Sequence, residues 1–259
     1  MKPSNVFQLE LATVLANKQA LMMKFGFTLL LGFTLVLIGM PLKMRISGFL
    51  IFLLFSSFFG AAVSMLHRRS DGHITRLKLL PLSFWSILVD FLLAGAVVDF
   101  LQMGILIALF IFVHGSGVHI GLIMTIAGLL AATVFMLNLA GIILGFLLKN
   151  NPEVHLFGAL SVGIIAFISG LFPVPERIAP ILDPIIAWNP LSYLMKVLTA
   201  AAVPQSNNSD HSFYWILVVI FVTLIILLRT IGWKWIFPSM KGSKSRDHVI
   251  KENTYEPAD

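Results

Sequence analysis

Asp99, Gln102 and Asn138 are polar residues set deep inside long apolar runs, where each needs a use. A carboxylate at mid-bilayer costs roughly 2.5–3.5 kcal/mol on insertion scales, so it usually faces a cavity or a partner. Gln102 stands three residues after Asp99 and shares its helical face. The three could line a polar translocation path, or they could tie helices together by hydrogen bonds. Asp99 is also the one good position for a carboxylate that carries a proton. Asp90 lies in the same run but nearer its end, within reach of water. Nine residues make two and a half helical turns, so Asp90 and Asp99 face opposite ways, about 13 Å apart. They are not an acid–base pair.

Other chemistry has little to stand on. His67 and His73 are six residues apart in a basic loop. A metal pair there is conceivable, but a solvated loop is the simpler reading. The sequence holds no GxxxxGK[ST] phosphate loop, no HExxH zinc motif and no GxSxG nucleophile elbow. It has no cysteine, which excludes disulfides and thiolate metal sites. No catalytic or metal-binding residue is expected, and an intramembrane enzyme lacks a recognisable nucleophile–base set.

The composition says what must position these residues. Of 259 residues, 58% are hydrophobic and 12% charged, with a mean hydropathy of +0.94. A soluble surface needs far more charge. The apolar runs are continuous, which points to an all-α polytopic membrane protein and away from a β-barrel. The net charge is +6. Its cations sit beside apolar runs, not in a stripe, so they read as topology signals and no nucleic-acid partner is expected. A cleavable signal peptide is not expected either, because the first long run starts near Leu21 with no small-residue cleavage motif after it.

Residues 1–20 space Val6, Phe7, Leu11, Val14 and Leu15 like an amphipathic helix in the membrane interface. Residues 21–231 then read as a transmembrane domain. Six spans of roughly 20 residues fit ~30 Å of hydrocarbon: Met22–Met40, Ile46–Leu66, Phe84–Val113, Ile120–Leu148, Val154–Phe172 and Phe213–Ile231. Between the last two, 173–210 is apolar yet broken by six prolines, which reads as re-entrant external half-helices. A polar tail covers 232–259. With both termini cytoplasmic, only Lys43, Arg45, Arg177 and Lys196 of the 18 Lys and Arg residues lie outside. That leaves 14, Lys24 among them, on the cytoplasmic side, which favours this orientation. Gly141 and Gly145 fit a small-xxx-small helix contact. No internal repeat is evident, so an inverted-repeat carrier gains no support.

The loop 67–83 carries Arg68, Arg69, Arg76 and Lys78 against one acid, Asp71. Its Asp71-Gly72, followed by Leu79-Leu80-Pro81-Leu82-Ser83, resembles the coupling segment of permease subunits of type-2 ABC exporters. Residues Phe167–Pro173, Ile181–Trp188 and Asn189-Pro190-Leu191-Ser192-Tyr193 are similar to the external region of the same family. The family often has Glu-Arg-Glu ahead of the Gly, where this chain has Arg68-Arg69-Ser70-Asp71, and a Thr where it has Leu80. The resemblance implies an ATPase-coupling site at Arg68, Arg69, Asp71, Gly72, His73, Arg76, Leu77, Leu79, Leu80 and Pro81. It implies an external half-helix region at Gly170, Pro173, Trp188, Asn189, Pro190 and Tyr193. It further implies two copies of an ABC ATPase subunit and a second permease, identical or homologous, in a lipid bilayer. ATP and Mg would sit on the ATPase, with no cofactor in this chain. The expected setting is a prokaryotic cytoplasmic membrane. A bundle rich in Phe, Leu and Met fits export of an amphipathic drug, antibiotic peptide or lipid. A polysaccharide exporter ranks lower, and an ion-coupled carrier using Asp99 is the rival of a different class.

Overall fold

A computed structural model describes residues 6–72, 84–114 and 120–202, and beyond them residues 222, 225 and 226. The described residues are helical, joined by short turns. The first two helices, α1 (Val6–Ala16) and α2 (Lys18–Leu37), meet at Asn17, and their axes differ by 72°. Then come α3 (Leu42–Ser70), α4 (Phe84–His114), α5 (Ile120–Leu147) and α6 (Asn151–Ile168). Two short helices follow, α7 (Ala179–Ala187) and α8 (Pro190–Ala202).

Among the described residues, four helices are long and apolar enough to cross a membrane: α3, α4, α5 and α6. The bent α1–α2 pair makes a fifth if it is counted as one span. The expected sixth span, Phe213–Ile231, lies outside the described residues except for the three isolated positions, as does the tail 232–259.

Capping chemistry moves the helix ends away from where hydropathy puts them. The second span, expected over Ile46–Leu66, runs from Leu42 to Ser70, because Pro41 fixes its start and nothing in His67–Ser70 breaks a helix. The segment Lys149–Glu153, expected as a break, is where α6 starts. Asn150 Oδ1 accepts from the Glu153 amide at 3.0 Å, and Glu153 Oε2 accepts from the Lys149 amide at 2.9 Å. These bonds form a variant of the capping box in which the Glu reaches one residue past the N-cap Asn150. The fifth span, expected to reach Phe172, ends at Ile168. Gly170 takes φ +67, and the Leu171 and Gly170 amides donate back to Ala166 and Phe167 carbonyls at 3.1 and 3.0 Å. That is a Schellman ending, which needs a residue content with positive φ.

The core lies between α3, α4, α5 and α8, around Phe49, Leu53, Leu54, Met103, Leu106, Phe110, Leu130 and Leu194. Gly141 and Gly145 let α3 and α5 touch at the backbone. A Cβ on Gly141 would stand 2.1 Å from the Phe58 carbonyl oxygen, and one on Gly145 2.5 Å from that of Ala62. The glycine pair is therefore a packing contact. Met22, Phe27, Leu30 and Leu37 of α2, with Leu156, Leu160 and Ile164 of α6, leave large apolar side chains exposed. Lipid tails solvate such faces.

At thirteen residues α8 is roughly 20 Å long, too short to cross. It folds back onto α3, α4 and α5, burying Leu191, Leu194 and Leu198, while Ser192 Oγ donates to the Ser169 carbonyl at 2.6 Å. In the middle of α3, Leu54–Phe59 form a π-helical turn. There the Gly60 amide donates to the Phe55 carbonyl, five residues back.

Candidate functional site

Asp99 stands at the midpoint of α4 and is 2% exposed. Its Oδ1 is ion-paired with Lys24 Nζ of α2. Its Oδ2 accepts from Asn138 Nδ2 of α5 at 2.9 Å. Gln102, one turn on, donates from Nε2 to Thr28 Oγ1 of α2 at 2.5 Å. Its Oε1 accepts from Ser56 Oγ of α3 at 2.9 Å. Ser56 Oγ also lies 3.4 Å from Asp99 Oδ1. One hydroxyl proton cannot serve both, so the shorter contact is the bond. The Thr28 hydroxyl donates to the Lys24 carbonyl at 2.6 Å, and Asn138 Nδ2 also reaches the Val134 carbonyl at 3.1 Å.

Local structure places each group. The π-helical turn carries Ser56, and Thr28 follows Lys24 by one turn of α2. Gly95 leaves room for the Asn138 amide: a Cβ there would lie 2.9 Å from Asn138 Oδ1. The cluster therefore joins four helices through a charge-balanced core, as buried polar groups require. A cavity of about 180 Å³ runs from it, lined by Lys24, Ser56, Ser64, Arg68, Asp99 and Asn138 on its polar side. Met65, Phe91 and Ile142 are among its apolar walls.

Asp99, Gln102 and Asn138, singled out from the sequence, are thus brought together. Lys24, Thr28 and Ser56 join them without having been foreseen. Lys24, counted with the cytoplasmic cations, aims into the bundle at Asp99, where it supplies the partner that a buried carboxylate requires.

The cavity leads to the end of α3 where Arg68 and Arg69 sit. Arg68 Nη1 pairs with Glu10 Oε2 of α1 at 2.5 Å, its Nε donates to Ser64 Oγ at 3.3 Å, and its guanidinium carbon lies 4.3 Å above the Phe91 ring of α4. Arg69 donates from Nη1 to the Phe146 carbonyl at 2.6 Å and from Nη2 to that of Leu148. Asp71 closes the helix through its amide to the His67 carbonyl at 2.9 Å, and Gly72 leaves it at φ +69. The remaining expected coupling residues, His73, Arg76, Leu77, Leu79, Leu80 and Pro81, lie outside the described residues.

At the opposite end, Asn189 Oδ1 accepts from the Leu191 amide at 3.0 Å and Pro190 opens α8, a normal helix start. Tyr193 packs against the core, while Trp188 and Pro173 are exposed and Gly170 caps α6. Arg45 Nη1 meets His114 Nε2 at 2.6 Å and joins α3 to α4 there. A guanidinium only donates, so Nε2 is the acceptor. Among the described residues no group of three His, Cys, Asp or Glu could hold a metal ion.

No curated protein matches the chain. The family model described as ABC-2 type transporter matches residues 6–203, from the start of α1 to just beyond α8, and on that match the chain belongs to the ABC-2 type transporter family, as a membrane-spanning permease subunit of an ABC transporter.

Proposed function

We propose that this permease subunit is the membrane half of an ATP-driven exporter that moves an amphipathic substrate (drug, antibiotic peptide or lipid) out of a prokaryotic cell. The family match over residues 6–203 carries the reading. The sequence has no phosphate loop, so the reading assigns ATP and Mg to a separate ABC ATPase, two copies working with two permeases. Six spans, with Phe213–Ile231 as the last, put both termini in the cytoplasm. In this orientation α7 and α8 are the external re-entrant pair, and the end of α3 at Arg68–Gly72 faces the ATPase. The segment 73–83 then docks on that subunit, and its nucleotide-driven dimerisation moves the helices. Gly72 supports this reading, since a left-handed turn there sets the direction in which the segment leaves α3.

The test is co-expression with an ABC ATPase subunit from the same organism, followed by reconstitution in liposomes with an amphipathic fluorescent dye. Copurification, dye export that needs Mg-ATP, and at least a tenfold loss of export in Gly72→Val are the expected results. Dye movement without the ATPase, driven by an ion gradient and altered in its pH dependence by Asp99→Asn, overturns the reading and supports an ion-coupled carrier.

A further inference from the structure

The resemblance puts Arg68 and Arg69 among the residues that touch the ATPase, yet both turn into the chain's own bundle. Their geometry is divergent. Adjacent helical residues point about 100° apart. Arg68 leans on α1 and α4, through Glu10, itself 3% exposed, and through the face of Phe91. Arg69 leans on the C-terminal end of α5, taking the Phe146 carbonyl of its last turn and that of Leu148 just past it. Carbonyls at a helix C-terminus have no donor within the helix, and a cation there also meets the negative end of the helix dipole. A planar guanidinium serves two carbonyls at once, which a lysine ammonium does not. Both arginines sit within four residues of Gly72, where the chain leaves α3.

We propose that Arg68 and Arg69 form a two-armed strut: positioning residues that pass movement of the 73–83 segment to α1 and α4 through one arm and to α5 through the other, and that make no ATPase contact themselves. The proposal rests on the exporter reading. Merely structural contacts would stabilise the bundle in every state. A strut is distinguished by a loss of the nucleotide-dependent movement in a transporter that still assembles.

The chain has no cysteine, so spin labels can be placed without background. Leu15→Cys on α1 and Leu147→Cys on α5 replace residues that are 53% and 44% exposed. Pulsed electron resonance on the complex with the same ABC ATPase, with and without Mg-ATP, reads the distance between them. If the otherwise unaltered chain neither copurifies with the ATPase nor shifts with nucleotide, the exporter reading fails and takes the strut with it. If it does both, the strut is tested on its own. The expected result is that Arg69→Lys and Arg68→Gln copurify as before while the Mg-ATP shift is lost. The exchanged pair Glu10→Arg with Arg68→Glu should restore it. Full retention of the shift overturns the proposal. So does loss of copurification in Arg69→Lys, which would make these residues ATPase contacts.

Discussion

Asp99 is a charge made tolerable by its partners. Removing one partner of a buried pair strands the other, whereas replacing both with apolar groups is close to neutral. Asp99→Asn should therefore destabilise the chain by roughly 3 kcal/mol, the lower end for such a break, since Lys24 keeps a third of its side chain exposed. Lys24→Met strands the more buried carboxylate and should cost more. The double variant Lys24→Met with Asp99→Leu should regain most of the loss in thermal unfolding in detergent, and a double variant as unstable as the sum of the singles would refute this account. Ser57 behaves differently: its hydroxyl is buried with no hydrogen-bond partner among the described residues. Ser57→Ala removes a desolvated group worth about 1–3 kcal/mol, so the variant should melt at the same temperature or higher. Asp99, Gln102 and Asn138 were legible in the sequence because a polar group in an apolar run stands out. Lys24 was not, because a cation near the start of a span reads as one reaching back to the interface. Thr28 and Ser56 are small enough to occur anywhere in a membrane helix.

At the scale of elements, the α3–α5 contact rests on glycines that hold two backbones together. Gly141→Ala should cost about 1–3 kcal/mol or more, because a carbonyl oxygen cannot move aside as a side chain can. The readout is the melting temperature of the purified protein, against Gly128→Ala, a position in the same helix with nothing within 4 Å of a Cβ. Equal melting temperatures would remove Gly141 from the interface. The long helices were readable as hydropathy, but their ends were decided by Pro41, Asn150 with Glu153, and Gly170, whose hydrogen bonds follow backbone geometry. The turn at Leu54–Phe59 left no trace in the pattern. Where almost every residue is apolar, no stripe exists to show a change of period. The targets of Arg69 were equally hidden, since backbone carbonyls carry no side-chain signature.

The whole molecule has two unlike ends. One gathers Glu10, Arg68, Arg69 and the α5–α6 turn; the other gathers Arg45, His114, α7 and α8. Single cysteines in intact cells should sort them. With an impermeant maleimide, Lys43→Cys and Lys196→Cys should label from outside, and Ser70→Cys and Asn150→Cys only after lysis; all four positions are exposed. The reverse pattern would invert the proposed orientation and with it the placing of the ATPase.

The π-helical turn also divides α3 into two rotational phases. The half before it, Leu42–Leu53, is set against α8, and the half after it, Gly60–Ser70, against α5 and α6. One inserted residue lies between the two settings. Deleting Phe55 would let the helix run on as a plain α-helix with both halves keeping their facing. The glycine seam and both arginines would stay on their marks, and the aim of Ser56 at Gln102 would be what is lost. A residue removed elsewhere in α3 would instead turn everything beyond it by about 100°, so this turn is the place in the helix that can absorb a change of length.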